Sequence, residues 1–131
     1  MAFYSQLFDK SSDFRSESEI KNLVKKSKNY KNEDVANSKI LNFFNTSKQR
    51  SYLVTTDEMV YCIVDDSRKN EAKINWSMGK ELFASQSITL KDKTVRTGLV
   101  NFGEKHKNWL YTKSIFNNED NMKNSISKLL S

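Results

Sequence analysis

The stretch 51-SYLVTTDEMVYCIVDD-66 decides the fold. It holds two runs rich in β-branched and aromatic residues, 52–56 and 59–64, separated by Asp57 and Glu58. Such runs suit a pleated, half-buried surface, and the polar break between them predicts an antiparallel hairpin. Cys62 falls mid-strand between Tyr61 and Ile63 and is expected to be a buried, inert thiol. Residues 65–70 then read as a polar turn, with Asp65 and Asp66 serving that turn rather than holding a cation.

The pattern stays β-like beyond the turn. In 72-AKINWSM-78, Ala72, Ile74, Trp76 and Met78 alternate with Lys73, Asn75 and Ser77, which predicts a strand with one buried face. Residues 79–83 are a connector with a short helical turn, and "SITL" is a short strand. Residues 94–102 and 109–113 form a late hairpin whose turn, "GEKHKN", opens with Gly103, free to take positive φ. Gly98, inside a strand, marks a bulge or close packing by a large ring. Asn117, Asn118, Glu119 and Asp120 announce a last helix, with Met122, Ile126, Leu129 and Leu130 on one stripe.

Upstream the period changes. Ser16 and Glu19 have capping-box spacing, and Ile20, Leu23 and Val24 follow at helical intervals to about Tyr30. A second helix is expected after Asn32, with Glu33 and Asp34 in its first turn and a stripe of Ala36, Ile40, Phe43 and Phe44. Residues 1–15 carry Phe3, Tyr4, Phe8 and Phe14 without a period and are read as an N-terminal arm. The division is therefore one domain over 1–131: an arm at 1–15, a helical region at 16–46 and a β region with its terminal helix at 50–131.

Composition narrows the class. With 131 residues, no proline and three glycines, no linker or repeat interrupts the chain. One cysteine allows no intrachain disulfide and no cysteine-based metal site. No apolar run approaches a membrane span, and the first residues lack a signal-peptide pattern, so a cytoplasmic setting is expected. A net charge of +6 suits an anionic partner, and equally a solubility role.

The strand order and the terminal helix resemble the pleckstrin-homology-like (PH-like) split barrel over residues 50–131. The likeness rests on "SYLVTTDEMVYCIVDD", "KINWSM", the hairpin "TVRTGLVNFG…NWLYTK" and "NEDNMKNSISKLL". The first of these is similar to the opening hairpin of GRAM-type members. The resemblance implies a terminal helix that plugs one end of the barrel, which would employ the stripe from Met122 to Leu130. Lipid-binding members gather basic residues on their first hairpin, and the loop read here as first, "TTDEM", is acidic. The expected fold class is α+β: N-terminal helices, then a curved antiparallel sheet or split barrel closed by a C-terminal amphipathic helix.

No sequence pattern for phosphate loops, dinucleotides, zinc proteases or serine hydrolases is present. His106, the one histidine, sits between Lys105 and Lys107 in a polar turn near Glu104, a surface position rather than a general base. No catalytic, cofactor-binding or metal residue is assigned, and no cofactor is expected. The most uneven charge is the acid-free run holding Lys21, Lys25, Lys26, Lys28 and Lys31. These are candidate contacts for an anionic partner, with Lys21, Lys25 and Lys28 on one face of a continuous helix. Trp76 and Trp109 read most simply as core residues, and otherwise as interface anchors. The expected function is a non-enzymatic cytoplasmic binding or adaptor module acting through protein contacts. The alternative is a basic module for nucleic acid or anionic lipid head groups. A homo-oligomer is left open.

Overall fold

The computed structural model describes residues 14–27, 38–103, 107–116 and 118–131. Helix α1 spans Glu17–Asn22 and tightens into a 3₁₀ turn, Leu23–Lys26. Seven strands follow: β1 Lys39–Asn45, β2 Gln49–Thr55, β3 Met59–Asp66, β4 Glu71–Gly79, β5 Thr89–Asp92, β6 Thr97–Asn101 and β7 Asn108–Thr112. Helix α2, Lys80–Ala84, joins β4 to β5, and helix α3, Glu119–Leu130, ends the chain. The fold is thus mixed α+β, with helices at both ends of the described chain and between the strands.

The strands form two antiparallel sheets, one ordered β1-β2-β3-β4 and one ordered β5-β6-β7. They meet at one corner, where the Thr112 hydroxyl accepts from the Asn45 N–H (2.9 Å) and donates to the Asn45 carbonyl (3.3 Å). The sheets are neither closed nor strongly curled, so the expected curved antiparallel sheet or split barrel is corrected to two separate antiparallel sheets packed on a shared core. The larger of two cores lies between them. Phe43, Leu53 and Cys62 of the first sheet bury against Val100 and Phe102 of the β6 side, and Met122, Ile126 and Leu129 of α3 close the layer. The apolar stripe of α3 is employed as expected, on a helix capped by Asn118, whose side chain accepts from the Asn121 N–H at 2.9 Å.

A second, smaller core covers the other face of the four-stranded sheet. Ile20 and Val24 of α1 and its 3₁₀ turn pack on Ile40, Tyr52, Val54, Tyr61 and Ile63. The capping box that starts α1 is formed: Glu19 N–H donates to Ser16 Oγ (3.2 Å) and Ser16 N–H to Glu19 Oε1 (3.1 Å). The chain ahead of it is tied down too, as Arg15 N–H donates to Asp65 Oδ2 at 2.6 Å and the Arg15 guanidinium to the Asn70 carbonyl at 2.8 Å.

The sheet feeds both cores from its two faces, and two bulges shift the alternation within β1 and β4, which overturns two expectations. The register of β1 against β2 slips between Asn42 and Phe44. Ile40 therefore joins the smaller core, while Leu41, Phe43 and Phe44 all enter the larger one. The Asn42 amide secures the bulge by donating to the carbonyls of Phe44 (3.0 Å) and Ser51 (3.1 Å). The expected second helix is thus a strand from Lys39 onward; Asn32, Glu33, Asp34 and Ala36 lie outside the described residues. In β4, Trp76 pairs with Cys62 but Ile74 pairs with Ile63, which leaves Asn75 as the extra residue. The four alternating residues consequently divide, Ala72 and Ile74 to the smaller core and Trp76 and Met78 to the larger.

Both glycine expectations hold. Gly98 lies directly opposite Tyr111, whose ring packs across it so closely that a Cβ would sit 2.3 Å from Cε1. Gly103 has φ +97°, a conformation that suits glycine.

Candidate binding surfaces

β1 is the outer strand of its sheet. Its first half runs along a cavity of about 500 Å³ between α1 and the C-terminal half of α3. Consecutive residues Ser38, Lys39, Ile40 and Leu41 make the floor, with Glu17 and Lys21 on the α1 side and Ser125, Lys128 and Leu129 on the α3 side. Among the described residues three lysines and one glutamate line it, a net +2 (3 − 1). Lys21 Nζ lies 3.8 Å from Glu17 Oε1, a separation at which one acid tempers one cation. Lys39 Nζ donates to the carbonyls of Ser131 and Lys128, which suits a cation at a helix C-terminus.

Charge is also sorted along the strands. The β1–β2 turn (46–48), the β3–β4 turn (67–70) and the β5–β6 turn (93–96) gather at one end. Ser67 N–H donates to the Lys48 carbonyl at 2.9 Å, and one cavity of about 620 Å³ is lined by both Thr46 and Arg96. These turns hold Lys48, Arg68, Lys69, Lys93 and Arg96 and no acid. Between Lys93 and Arg96, Val95 is 92% exposed. At the opposite end of the same strands the β2–β3 turn carries Asp57 and Glu58, and Glu81 of α2 lines a cavity with them.

The carboxylates at the end of β3 differ sharply. Asp66, on the larger-core face, accepts from Arg68 at 3.0 Å (Nε) and 2.8 Å (Nη2), and that pairing holds its pKa well below the usual range. Asp65 faces α1 and is buried; desolvation raises its pKa, against the opposing pull of the Arg15 N–H and of the Arg15 and Arg50 charges. Its Oδ1 has no hydrogen-bond partner among the described residues. Burial likewise pushes the Cys62 thiol up, so it is protonated and inert at neutral pH.

The residues singled out from sequence scatter. Lys21 lines the β1 groove, whereas Lys25 and Lys26 are exposed in the 3₁₀ turn. The α-helical turn stops at Asn22 and a 3₁₀ turn follows, so Lys21 and Lys25 do not lie on one continuous α-helix. Lys28, Lys31, Tyr30, Glu104, His106, Asn117 and the aromatics Phe3, Tyr4 and Phe8 lie outside the described residues. Trp76 is a core residue, stacked on Phe83 at 6.1 Å between ring centroids and tilted against Phe102 at 5.3 Å. Trp109 is half-buried against the same core. Sequence reasoning missed both the β1 groove and the basic end. The basic end had a signal, three short acid-free turns each carrying one or two cations. The groove had none, because three distant segments build it.

Among the described residues no helix is long and apolar enough to cross a membrane, and no three His, Cys, Asp or Glu side chains converge as metal ligands would. No protein-family model, curated protein or solved structure matches the chain.

Proposed function

We propose that this chain is a non-enzymatic binding module, PH-like in topology, that acts through protein contacts. Sheets of four and three strands followed by a terminal helix are compatible with that topology. The observation that carries the reading is the β1 groove. An outer strand there lies beside a roomy cleft with Ile40 and Leu41 in its floor and charged residues around it, the arrangement by which sheet edges take up partners. A photo-cross-linking residue at Ser125, in the groove, should capture a protein partner in the cells of origin. The same residue at Glu71, on the far edge of the sheet, should not. Equal capture from both positions, or none from Ser125, would remove the basis of the reading.

A second reading, binding to anionic lipid head groups, has its own support in the basic end. The acidic loop "TTDEM" that counted against it joins β2 to β3; the first hairpin loop is "TSK", which is basic. An exposed valine set among cations suits the interface of an anionic bilayer better than a nucleic acid groove. Cosedimentation with phosphatidylserine vesicles, absent with phosphatidylcholine and lost in Lys48→Gln/Lys69→Gln/Lys93→Gln, would support it. Retention of the triple variant on the vesicles would refute it.

A further inference from the structure

Within the protein-binding reading, on which this inference rests, we propose that the β1 groove takes an extended acidic segment of a partner protein, added as a fifth strand on the outer edge of β1. The floor of the groove is the edge itself, four consecutive residues from Ser38 to Leu41, about 13 Å of strand. Beyond it the edge is engaged by β7 through Thr112, so the length left open among the described residues lies at the groove and not past it. The walls follow from strand alternation. Ile40 points to the α1 side of the sheet and Leu41 to the α3 side. Alternate side chains of an added strand would therefore face Lys21 on one flank and Lys128 on the other.

Charge selects the occupant. Among the described residues, lysines stand on both flanks and on the edge, against the carboxylate of Glu17. A strand with acidic residues would meet cations on either side, while a basic one would be repelled. A second copy of this chain is disfavoured by the same logic, since pairing β1 with β1 would bring the same three lysines together. A single-stranded nucleic acid finds no stacking platform among the described residues, none of whose aromatic side chains lines the groove.

The probe is a fluorescein-labelled decapeptide of alternating Glu and Val, titrated into the full chain with anisotropy as readout. A Lys/Val decapeptide, a Glu/Gly decapeptide and a Glu/Val decapeptide N-methylated at alternate residues serve as comparisons. The Glu/Val peptide should bind and shift the amide resonances of Lys39–Leu41, and the others should bind at least about tenfold more weakly. Lys21→Glu/Lys128→Glu should weaken binding about tenfold or more, and Lys48→Glu/Lys69→Glu at the basic end should not. Lys39 is kept, because its ammonium holds the end of α3. Circular dichroism checks that each variant is folded. No binding of the Glu/Val peptide, equal binding of the N-methylated or Glu/Gly peptide, or indifference to the Lys21/Lys128 reversal would overturn the proposal. If the cross-link from Ser125 still captures a protein in that event, strand addition falls and the protein-binding reading stands; if it captures none, both fall.

Discussion

Replacing Gly98 by alanine tests the packing of the smaller sheet at its tightest point. The new Cβ would lie 2.3 Å from Tyr111 Cε1, 2.5 Å from Cζ and 2.6 Å from the hydroxyl oxygen. Ordinary contact needs about 3.5 Å, so the ring must retreat by about 1 Å or more. Tyr111 is buried and sits opposite Gly98 in the ladder, so the ring has little room to retreat without disturbing its neighbours. Overpacking of this kind costs about 1–3 kcal/mol, while alanine in place of a strand glycine returns about 0.5–1 kcal/mol. The net loss is about 1–2 kcal/mol, or roughly 3–8 °C in Tm for a chain of this length. Thermal and urea unfolding of the parent, Gly98→Ala, Tyr111→Leu and the double variant form a closed cycle. In the Tyr111→Leu background the alanine should be neutral or stabilising, because the ring it strikes is gone. If Gly98→Ala costs nothing in the parent, or costs the same in both backgrounds, the close approach of Tyr111 is not what requires the glycine.

Two further outcomes follow from burial and charge. Met122 of α3 is fully buried in the larger core, so Met122→Ala should cost about 2–5 kcal/mol, against no more than about 0.5 for exposed Lys123→Ala, read by urea denaturation. Near-equal losses would show that α3 does not close the core. The buried carboxyl of Asp65 has a raised pKa in the folded state, so its contribution is fully present below its unfolded pKa of about 4 and is lost as pH rises through the folded value. Asp65→Asn should therefore be more stable than the parent at pH 7 and converge with it near pH 3; the opposite slope from Asp66 is common to both proteins and cancels. A variant less stable at pH 7 would mean that the contacts with Arg15 outweigh desolvation.

Much of the fold is legible in sequence where side-chain period and pairing agree. The β2–β3 hairpin, the β6–β7 hairpin and α3 with its Asn118 cap all fall where alternation, turn residues and helical spacing put them. The two misreadings share one cause. A bulge adds a residue to a strand and shifts the phase of its alternation. In β1 that shift turns Phe44 to the same side as Phe43, so Ile40, Phe43 and Phe44 fall at the i, i+3, i+4 spacing of a helix face although Ile40 packs in the other core. In β4 the sequence alternates without a break, yet the fold breaks it at Asn75. Neither slip leaves a mark in composition, because the residue that bulges is chosen by the partner strand. Sites assembled from distant segments are hidden for a related reason. Lys21, Lys39 and Lys128 line one groove although far apart in the chain, whereas of the described lysines in the run after Glu19 only Lys21 lines it.

The extra residue in β4 also bears on how the molecule comes apart. One half of that strand is anchored in the core beneath α1 and the other in the core beneath α3. Were each strand committed to a single layer, α1 could peel away at little cost to the rest. Because all four strands, the outer β1 and β4 included, place residues in both layers, loosening either core pulls on the same backbone. The central pair, β2 and β3, is enclosed between the two outer strands, and its amides should be the last to exchange with solvent.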